Sequence, residues 1–357
     1  MKPVNILGAG LSGLSVAINL AKEGVQVNVY DVRNDSGARF EGDLQGLENW
    51  TTENDILDDM KGMNINLNFH CNPFKRVITT DGRKTFETEY PRPLFYLVKR
   101  GTMEDSIDQG LKRQALEAGV KINYNSIFEG KANIVATGPK MESKVLYGID
   151  RGIVFDTDMD DIAVAIIGDE FAYKGYSYLL VSKGYGCIAT VLLDRFHLVN
   201  SCLEKTKGLM IKMFGLKVEN EKGVGGFGNF IYPPKLEEND TLFVGEAGGL
   251  QDSFAGFGIR YAMTSGYLAA KSFVNEVSYK DSIEKRFTNQ LKASIVNRFI
   301  WETVGGRKFD FLEFGSKRTN PLKYVRKLYN FELLYQKMVY PLASVWLKGR
   351  QKQKMPK

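Results

Sequence analysis

Near the start of the chain, Gly8, Gly10 and Gly13 are followed eighteen positions later by Asp31, a spacing with chemical meaning. In "VNILGAGLSGLSVAINLAKEGVQVNVYD" the first glycine permits a tight turn. The second lets the backbone approach a pyrophosphate, and the third lets a helix pack close to a strand. Ala9, Leu11 and Ser12 complete the turn, and the phosphate charge is expected at the helix N-terminus, where free N–H groups and the macrodipole favour an anion. Asp31, with Val32 and Arg33 after it, closes a second apolar run, where a carboxylate accepts hydrogen bonds from a ribose diol. A carboxylate there repels a 2′-phosphate, which argues against NADP and leaves FAD and NAD open.

A second glycine-rich stretch, "FVGEAGGLQDSFAGFGIRYAMTSG", runs from Phe243 to Gly266. Here an apolar strand leads to a turn with Gly245 and Glu246. A helix is expected from near Gly258, with Ala262, Ser265, Ala269 and Phe273 on related faces. A glycine-flanked helix start presents backbone N–H groups to an anionic ring edge, which a reduced flavin offers.

The elements that must hold these turns are legible from periodicity. Val4 to Leu7 is an apolar run bounded by Gly8, the pattern of a buried parallel strand. Leu14, Ala17, Ile18 and Ala21 recur at helical spacing until Gly24. The segment Gly37 to Trp50, rich in Glu41, Asp43, Gln45, Glu48 and Asn49, reads as a glycine-punctuated polar loop. From Arg151 onward "DIAVAIIGDE", "YSYLLVSKGYGCIATVLL" and "VGGFGNFIYPP" alternate like antiparallel strands of a second sheet. The closing "LYNFELLYQKMVYPLASVWLKGRQKQKMPK" mixes aromatics with lysines, and Pro341 is expected to break it into two short helical pieces.

With 357 residues, 43% hydrophobic and 25% charged, the chain can bury a large core and is not expected to be disordered. Cys71, Cys187 and Cys202 lack CxxC spacing, and His70 and His197 stand far apart. Neither a disulfide framework nor a metal site is expected, and a reducing cytoplasmic setting fits. No leader or membrane span is read from the sequence. The net charge of +6 is uneven, because Lys317 to Lys357 hold eleven basic residues against Glu332 alone, leaving about −4 for residues 1–316. No recognition module accompanies that charge, so nucleic acid is not an expected partner. A basic amphipathic tail of this kind suits peripheral contact with the inner face of a membrane.

The two glycine stretches, with "YLVKRGTMEDSIDQGLKRQALEAGVKI" and "ANIVATGPK" between them, resemble the FAD-dependent geranylgeranyl reductase family, among the glutathione-reductase-type flavoproteins related to aromatic hydroxylases. The resemblance spans about residues 1–275. It implies that Gly8, Gly10, Gly13 and Asp31 hold the adenosine and pyrophosphate of FAD, and that Ala136, Thr137 and Gly138 pass near its adenine half. Arg39 is placed with these cofactor residues, and Arg100 matches an arginine near the ribityl-phosphate region. By the same resemblance a helix is implied over Met103 to Ala118. Gly42, Asp43, Leu44 and Gln45 would lie nearest the flavin ring. Gly245 and Glu246 would meet the ribityl chain, with Gly256, Phe257, Gly258 and Ile259 facing the isoalloxazine. Glu246 stands where the family has aspartate, and Ser253 where it has a proline, which is expected to loosen the turn. Arg260 replaces an uncharged residue and reads either as a cation beside the flavin or as a surface arginine. Of a family motif in the second sheet, Tyr176, Tyr178, Lys183 and Gly184 are kept, and the two tyrosines are the candidate substrate contacts.

The implied fold is α/β (α+β): a Rossmann-like FAD-binding domain of glutathione-reductase type, an inserted antiparallel β-sheet substrate domain and a helical C-terminal region. The FAD-binding part is assigned to residues 1–75, 95–150 and 238–280, the sheet domain to 76–94 and 151–237, and the basic helical region to 281–357. The implied activity is reduction of C=C bonds in a prenyl chain or related lipid, with NAD(P)H or ferredoxin as electron donor. No catalytic side chain is singled out. Two other readings are a flavin monooxygenase or halogenase, against which the "DG" and WxWxIP motifs are missing, and a flavoprotein without turnover.

Overall fold

The computed structural model describes residues 3–140 and 145–351. The chain opens with β1 (Val4–Leu7), α1 (Leu11–Lys22), β2 (Val27–Tyr30), β3 (Glu41–Glu48), α2 (Ile56–Gly62) and β4 (Cys71–Phe74). Next come β5 (Arg76–Thr80), β6 (Thr85–Glu89), β7 (Phe95–Gly101), α3 (Ile107–Glu117), β8 (Lys121–Asn123) and β9 (Ile134–Val135). The middle holds β10 (Leu146–Asp156), β11 (Ile162–Ile166), β12 (Tyr176–Ser182), β13 (Tyr185–Leu192), α4 (Val199–Phe214) and β14 (Glu219–Phe230). The remainder is β15 (Glu237–Glu238), β16 (Thr241–Phe243), α5 (Ile259–Asn275), α6 (Tyr279–Thr303), α7 (Lys308–Ser316), α8 (Pro321–Tyr329) and α9 (Leu334–Arg350).

Three sheets organise these elements. In the first, ordered β15-β16-β9-β1-β2-β8, the strands β16, β9, β1, β2 and β8 run parallel, so the two distant glycine turns leave the same sheet. Buried Ile6, Val29, Leu14 and Ile18 weld α1 to it. Helix α5 crosses α1 closely: a Cβ at Gly266 would strike the Ser12 carbonyl, and Ser15 donates to the Met263 carbonyl at 2.8 Å.

The second sheet, ordered β14-β10-β13-β12-β11-β5-β6, is antiparallel except where β11 meets β5. Lys183 (φ 52°) and Gly184 (φ 77°) close the β12–β13 hairpin in the left-handed pair that matches strand twist. Registration sets one row across four strands, Gly226, Asp150, Val191 and Tyr176, and the next inward tyrosine, Tyr178, lies opposite Ala189 and Ala165. Helix α4 covers the other face with Val199, Cys202, Thr206 and Met210, a helix not anticipated within residues 151–237.

Three other expectations change. Residues 41–48 are a strand, not a loop. They pair antiparallel with β7 in the sheet β3-β7-β4, which buries Leu44 and Leu47 and overrides the polar composition. Helix α3 starts at Ile107 instead of Met103, because Ser106 accepts from the Gln109 N–H at 3.1 Å and caps it there. Pro341 lies inside α9 without splitting it. The missing N–H falls on an exposed face, while buried Gln336, Ala343 and Leu347 hold the opposite side. The final lysines Lys352, Lys354 and Lys357 lie outside the described residues.

Candidate functional site

Helix α1 has Gly10 as its N-cap, with no side-chain cap and no acid in its first turn, so its leading N–H groups are offered outward. Asp31 fixes that turn: one oxygen accepts from the Ala9 N–H at 2.7 Å and the other from the Arg33 N–H at 2.9 Å. A Cβ at Gly8 (φ +104°) would strike the Ala136 carbonyl, and one at Gly13 the Gly8 carbonyl. At Gly10 an added Cβ meets nothing within 4 Å. Two glycines therefore serve packing, and the third faces open space.

The second turn is held as firmly. The Gly245 N–H donates to Ser265 Oγ at 2.9 Å. Glu246 accepts from Arg39 at 3.2 Å and from the Asn229 N–H at 3.2 Å. Burial raises the Glu246 carboxyl above the usual range, against the pull of Arg39. Buried Asp252 caps the following turn through the N–H groups of Phe254 and Ala255, and Ser294 Oγ donates to it at 2.7 Å. Ser253 does not loosen this turn: its N–H and hydroxyl both meet Ser294 Oγ, at 2.6 and 2.7 Å, which ties it to α6. Arg260 is neither at the surface nor in the cleft. Its guanidinium is buried against Asp59, Thr52 and Glu48.

Both turns open onto one cavity of about 620 Å³. Of the 26 residues expected at the site, 23 line it; Gly13, Gly42 and Gly245 do not. Gly13 and Gly245 lie in the helix packing, a Cβ on the latter coming within 2.8 Å of Ser12 Oγ. Gly42 has φ +100°, and its carbonyl accepts the Tyr185 hydroxyl at 3.0 Å. Arg100 is clamped by Asp108, at 2.9 and 3.0 Å, and by Gln45 at 2.9 Å, with its guanidinium 4.0 Å from the Phe40 ring centre. The segment Ser126 to Phe128, unread in the sequence, runs beside Asp31 to Arg33 at the first end of the cavity, where the Ser126 N–H donates to the Asp31 carbonyl at 2.9 Å.

The far end is roofed by the inward face of the second sheet. Val191, Leu193, Leu180, Ala163 and Ala165 line it with Phe95 and Leu97 from β7. The hydroxyl of Tyr176 donates to the Ala255 carbonyl at 2.5 Å, bridging the sheet to the second turn, and burial keeps that phenol protonated. Among these apolar walls stand two carboxyls, Asp43 and Asp150. Burial raises both, and Asp43 adds to the rise at Asp150, which reaches about 6. Strand parity carries the signal for Asp150, since in "YGIDRGIVFD" it shares the inward face with Gly148 and Gly152.

This carries a pH prediction. The folded state raises the Asp150 pKa above the ordinary 3.8 to about 6, so stability falls as pH climbs between those values and stays lowered above them. Asp150→Asn removes that loss. Flavin-free D150N is expected to melt higher than the parent at pH 8, by on the order of 2 kcal/mol, with the gain fading below pH 6 and gone near pH 4. Thermal melts across that range measure it; a gain that does not change with pH contradicts it.

Other reactive side chains are held elsewhere. Burial and Asp55 push the Cys71 thiol up to about 12, which makes it a poor nucleophile. His70 lies 3.0 Å from Ser182 Oγ and His197 is exposed. No metal-holding cluster occurs among the described residues.

A family profile described as an NAD(P)-binding Rossmann-like domain matches residues 6–43. No curated protein matches the sequence. Among solved structures, the chain is similar to a geranylgeranyl bacteriochlorophyll reductase-like protein from Thermoplasma acidophilum, with a TM-score of 0.67 and 16% identity over 98% of both chains. It is also similar to a flavin-dependent brominase, with a TM-score of 0.62 and 13% identity over 97% of this chain and 99% of that one. A flavoprotein/dehydrogenase from Cytophaga hutchinsonii gives a TM-score of 0.61 and 13% identity, covering 98% of this chain and 100% of that one. The chain therefore has the mixed α/β fold shared by these proteins, with a Rossmann-type dinucleotide turn at its start and a helical C-terminal region.

Proposed function

We propose that the chain is an FAD-dependent oxidoreductase that reduces C=C bonds of a prenyl chain or related lipid. The residues present fit the cofactor: Gly10 and Gly256 leave open space at the two turns, and Asp31 and Glu246 offer oxygens along the cavity between them. On this reading the uncapped start of α1 holds the pyrophosphate, Asp31 the adenosine ribose, and Glu246 with Arg39 the ribityl chain. The Gly256–Ile259 turn and the Asp43–Gln45 strand flank the ring. When bound, the flavin supplies hydride chemistry.

The observation that carries the substrate class is the apolar roof. Leu180, Val191, Leu193, Ala163, Ala165 and Phe95 extend the cavity beyond the second turn with no positive charge on them, a surface for a hydrocarbon and not for a sugar or an acid. Tyr176 and Tyr178 would grip an isoprenoid edge, and Tyr176, fixed to the Ala255 carbonyl, sets the distance between roof and turn. Asp150, whose pKa is raised to about 6, stands in the same row as Tyr176 with Val191 between them, and the fraction protonated can deliver a proton to the carbon opposite the one that takes hydride.

The test is anaerobic. Protein reconstituted with FAD and reduced by dithionite is expected to be reoxidised by geranylgeranyl-bearing lipids, with products that gain two hydrogens per double bond by mass spectrometry. Reoxidation only with oxygen, yielding hydroxylated or brominated product, would place it with the oxygenases or halogenases. Inertness to all acceptors would leave a flavoprotein without turnover.

A further inference from the structure

Helix α9 has two unlike sides. Inward, Ala343 and Leu347 are buried, Trp346 meets Phe299 edge-on at 5.6 Å, and Gln336 bonds to Asn297 and to the Leu328 carbonyl on α8. This inner side belongs to the same apolar cluster as Val191 and Phe230, which line the cavity. Outward, Leu334 (74% exposed), Met338 (71%), Leu342 (65%) and Val345 (71%) stand in solvent. At about 100° per residue these four fall within an arc of roughly 80°, along some 16 Å of helix, and exposed Pro341 lies beside them.

Single exposed leucines are ordinary; a continuous stripe is not. Six large apolar residues among those described are at least 65% exposed, and the other two, Val32 and Ile127, line the cavity mouth. The rest of the unexplained apolar surface at that level is thus α9. Lys337 and Lys348 flank one edge of the stripe, and from residue 333 to the C-terminus the sequence has six basic residues and no acid.

We propose that this face of α9 docks on an anionic lipid bilayer, with Leu334, Met338, Leu342 and Val345 in the headgroup–acyl boundary and Lys337 and Lys348 at phosphate level. A surface helix with an outward apolar stripe and a cationic edge has the chemistry of an interfacial helix, and lysine stems can lie along the stripe while their ammonium groups reach phosphate. No described helix is long and apolar enough to cross a membrane, so the contact lies on the surface. A second copy of the chain fits this face poorly, because two such stripes would bring four lysines together with no acid on α9 to meet them. The surface stands independently of the reaction proposed above.

Co-sedimentation of the full, flavin-loaded chain with vesicles tests it. Binding to phosphatidylcholine vesicles containing phosphatidylglycerol is expected, with little binding to phosphatidylcholine alone and weakening by salt. The double variant Met338→Ser/Val345→Ser is expected to lower that binding at least about tenfold, and Lys337→Gln/Lys348→Gln to flatten its salt dependence. Both are expected to keep the parent's melting temperature and flavin content, since all four side chains face solvent. Equal binding by parent and M338S/V345S, or no binding to anionic vesicles, overturns the proposal. So does a dimer in sedimentation velocity that these substitutions dissolve, which would give the face to a second copy.

Discussion

Replacing Gly10 with valine is expected to weaken flavin binding severely while leaving the flavin-free chain as stable as the parent. Gly10 has an ordinary extended backbone (φ −84°, ψ −178°), so a branched side chain imposes no strain there. An added Cβ meets nothing within 4 Å, because that direction is the cavity. On the proposed reading, a pyrophosphate enters this space to reach the uncapped N–H groups of α1, and two methyl groups would hold it off. Loss of those charge-assisted contacts is expected to weaken FAD binding at least about 100-fold, close to 2.7 kcal/mol. Melting of the flavin-free form should stay within about 0.5 kcal/mol, as for substitutions that touch no packed atom. Gly13→Val makes the contrast: its Cβ would land on the Gly8 carbonyl, so that variant is expected to lose stability before flavin is added. Flavin fluorescence titration and thermal melts separate the two. Full flavin retention in G10V would mean that no phosphate approaches this turn.

That contrast also shows what was legible in the sequence. Three glycines at the right interval announced the turn, and periodicity placed β1, α1 and β2, because each depends on residues within about thirty positions of one another. The β12–β13 turn, not singled out in the sequence, is equally local, fixed by Lys183 and Gly184. What escaped depends on partners far along the chain. The polar run 41–48 is a strand only because β7, some fifty residues later, supplies its ladder and buries Leu44 and Leu47. Ser253 looked like a lost proline, and its hydrogen bonds come from Ser294, 41 residues away. Asp150 was hidden because an acid in an alternating strand reads as solvent-facing until Val191 and Tyr176 are seen beside it. Most of the candidate residues line one cavity; Gly13 lies in the helix packing its spacing implied, while Gly42 and Gly245 stand behind the lining, placed there by contacts with Tyr185 and Ser12 from distant parts of the chain.

Arg260→Met is expected to destabilise the protein by about 3 kcal/mol and to leave the colour and redox potential of its bound flavin unchanged. Read from sequence, Arg260 was a cation beside the flavin or a surface residue, and each of those positions predicts something different. A cation beside the ring would shift the potential when removed, and a surface arginine would shift nothing. The guanidinium instead bonds to Asp59 and Thr52 Oγ1 and lies 3.5 Å from Glu48, a carboxylate that is 3% exposed. Glu48 already holds the N–H groups of Trp50 and Thr51, at 3.1 and 3.3 Å, and the Thr51 hydroxyl at 2.8 Å, so it cannot turn away to find water. Removing one partner of such a buried pair leaves the other charge uncompensated, which typically costs about 3–5 kcal/mol. The lower end applies here, because Arg286 also acts favourably on Glu48 and Asp59 is partly in solvent. Neutralising both partners in Arg260→Met/Glu48→Gln is therefore expected to recover part of the loss. Chemical denaturation of the flavin-free forms and the midpoint potential of the loaded ones decide the matter. An R260M protein of parental stability with a shifted potential would return Arg260 to the flavin.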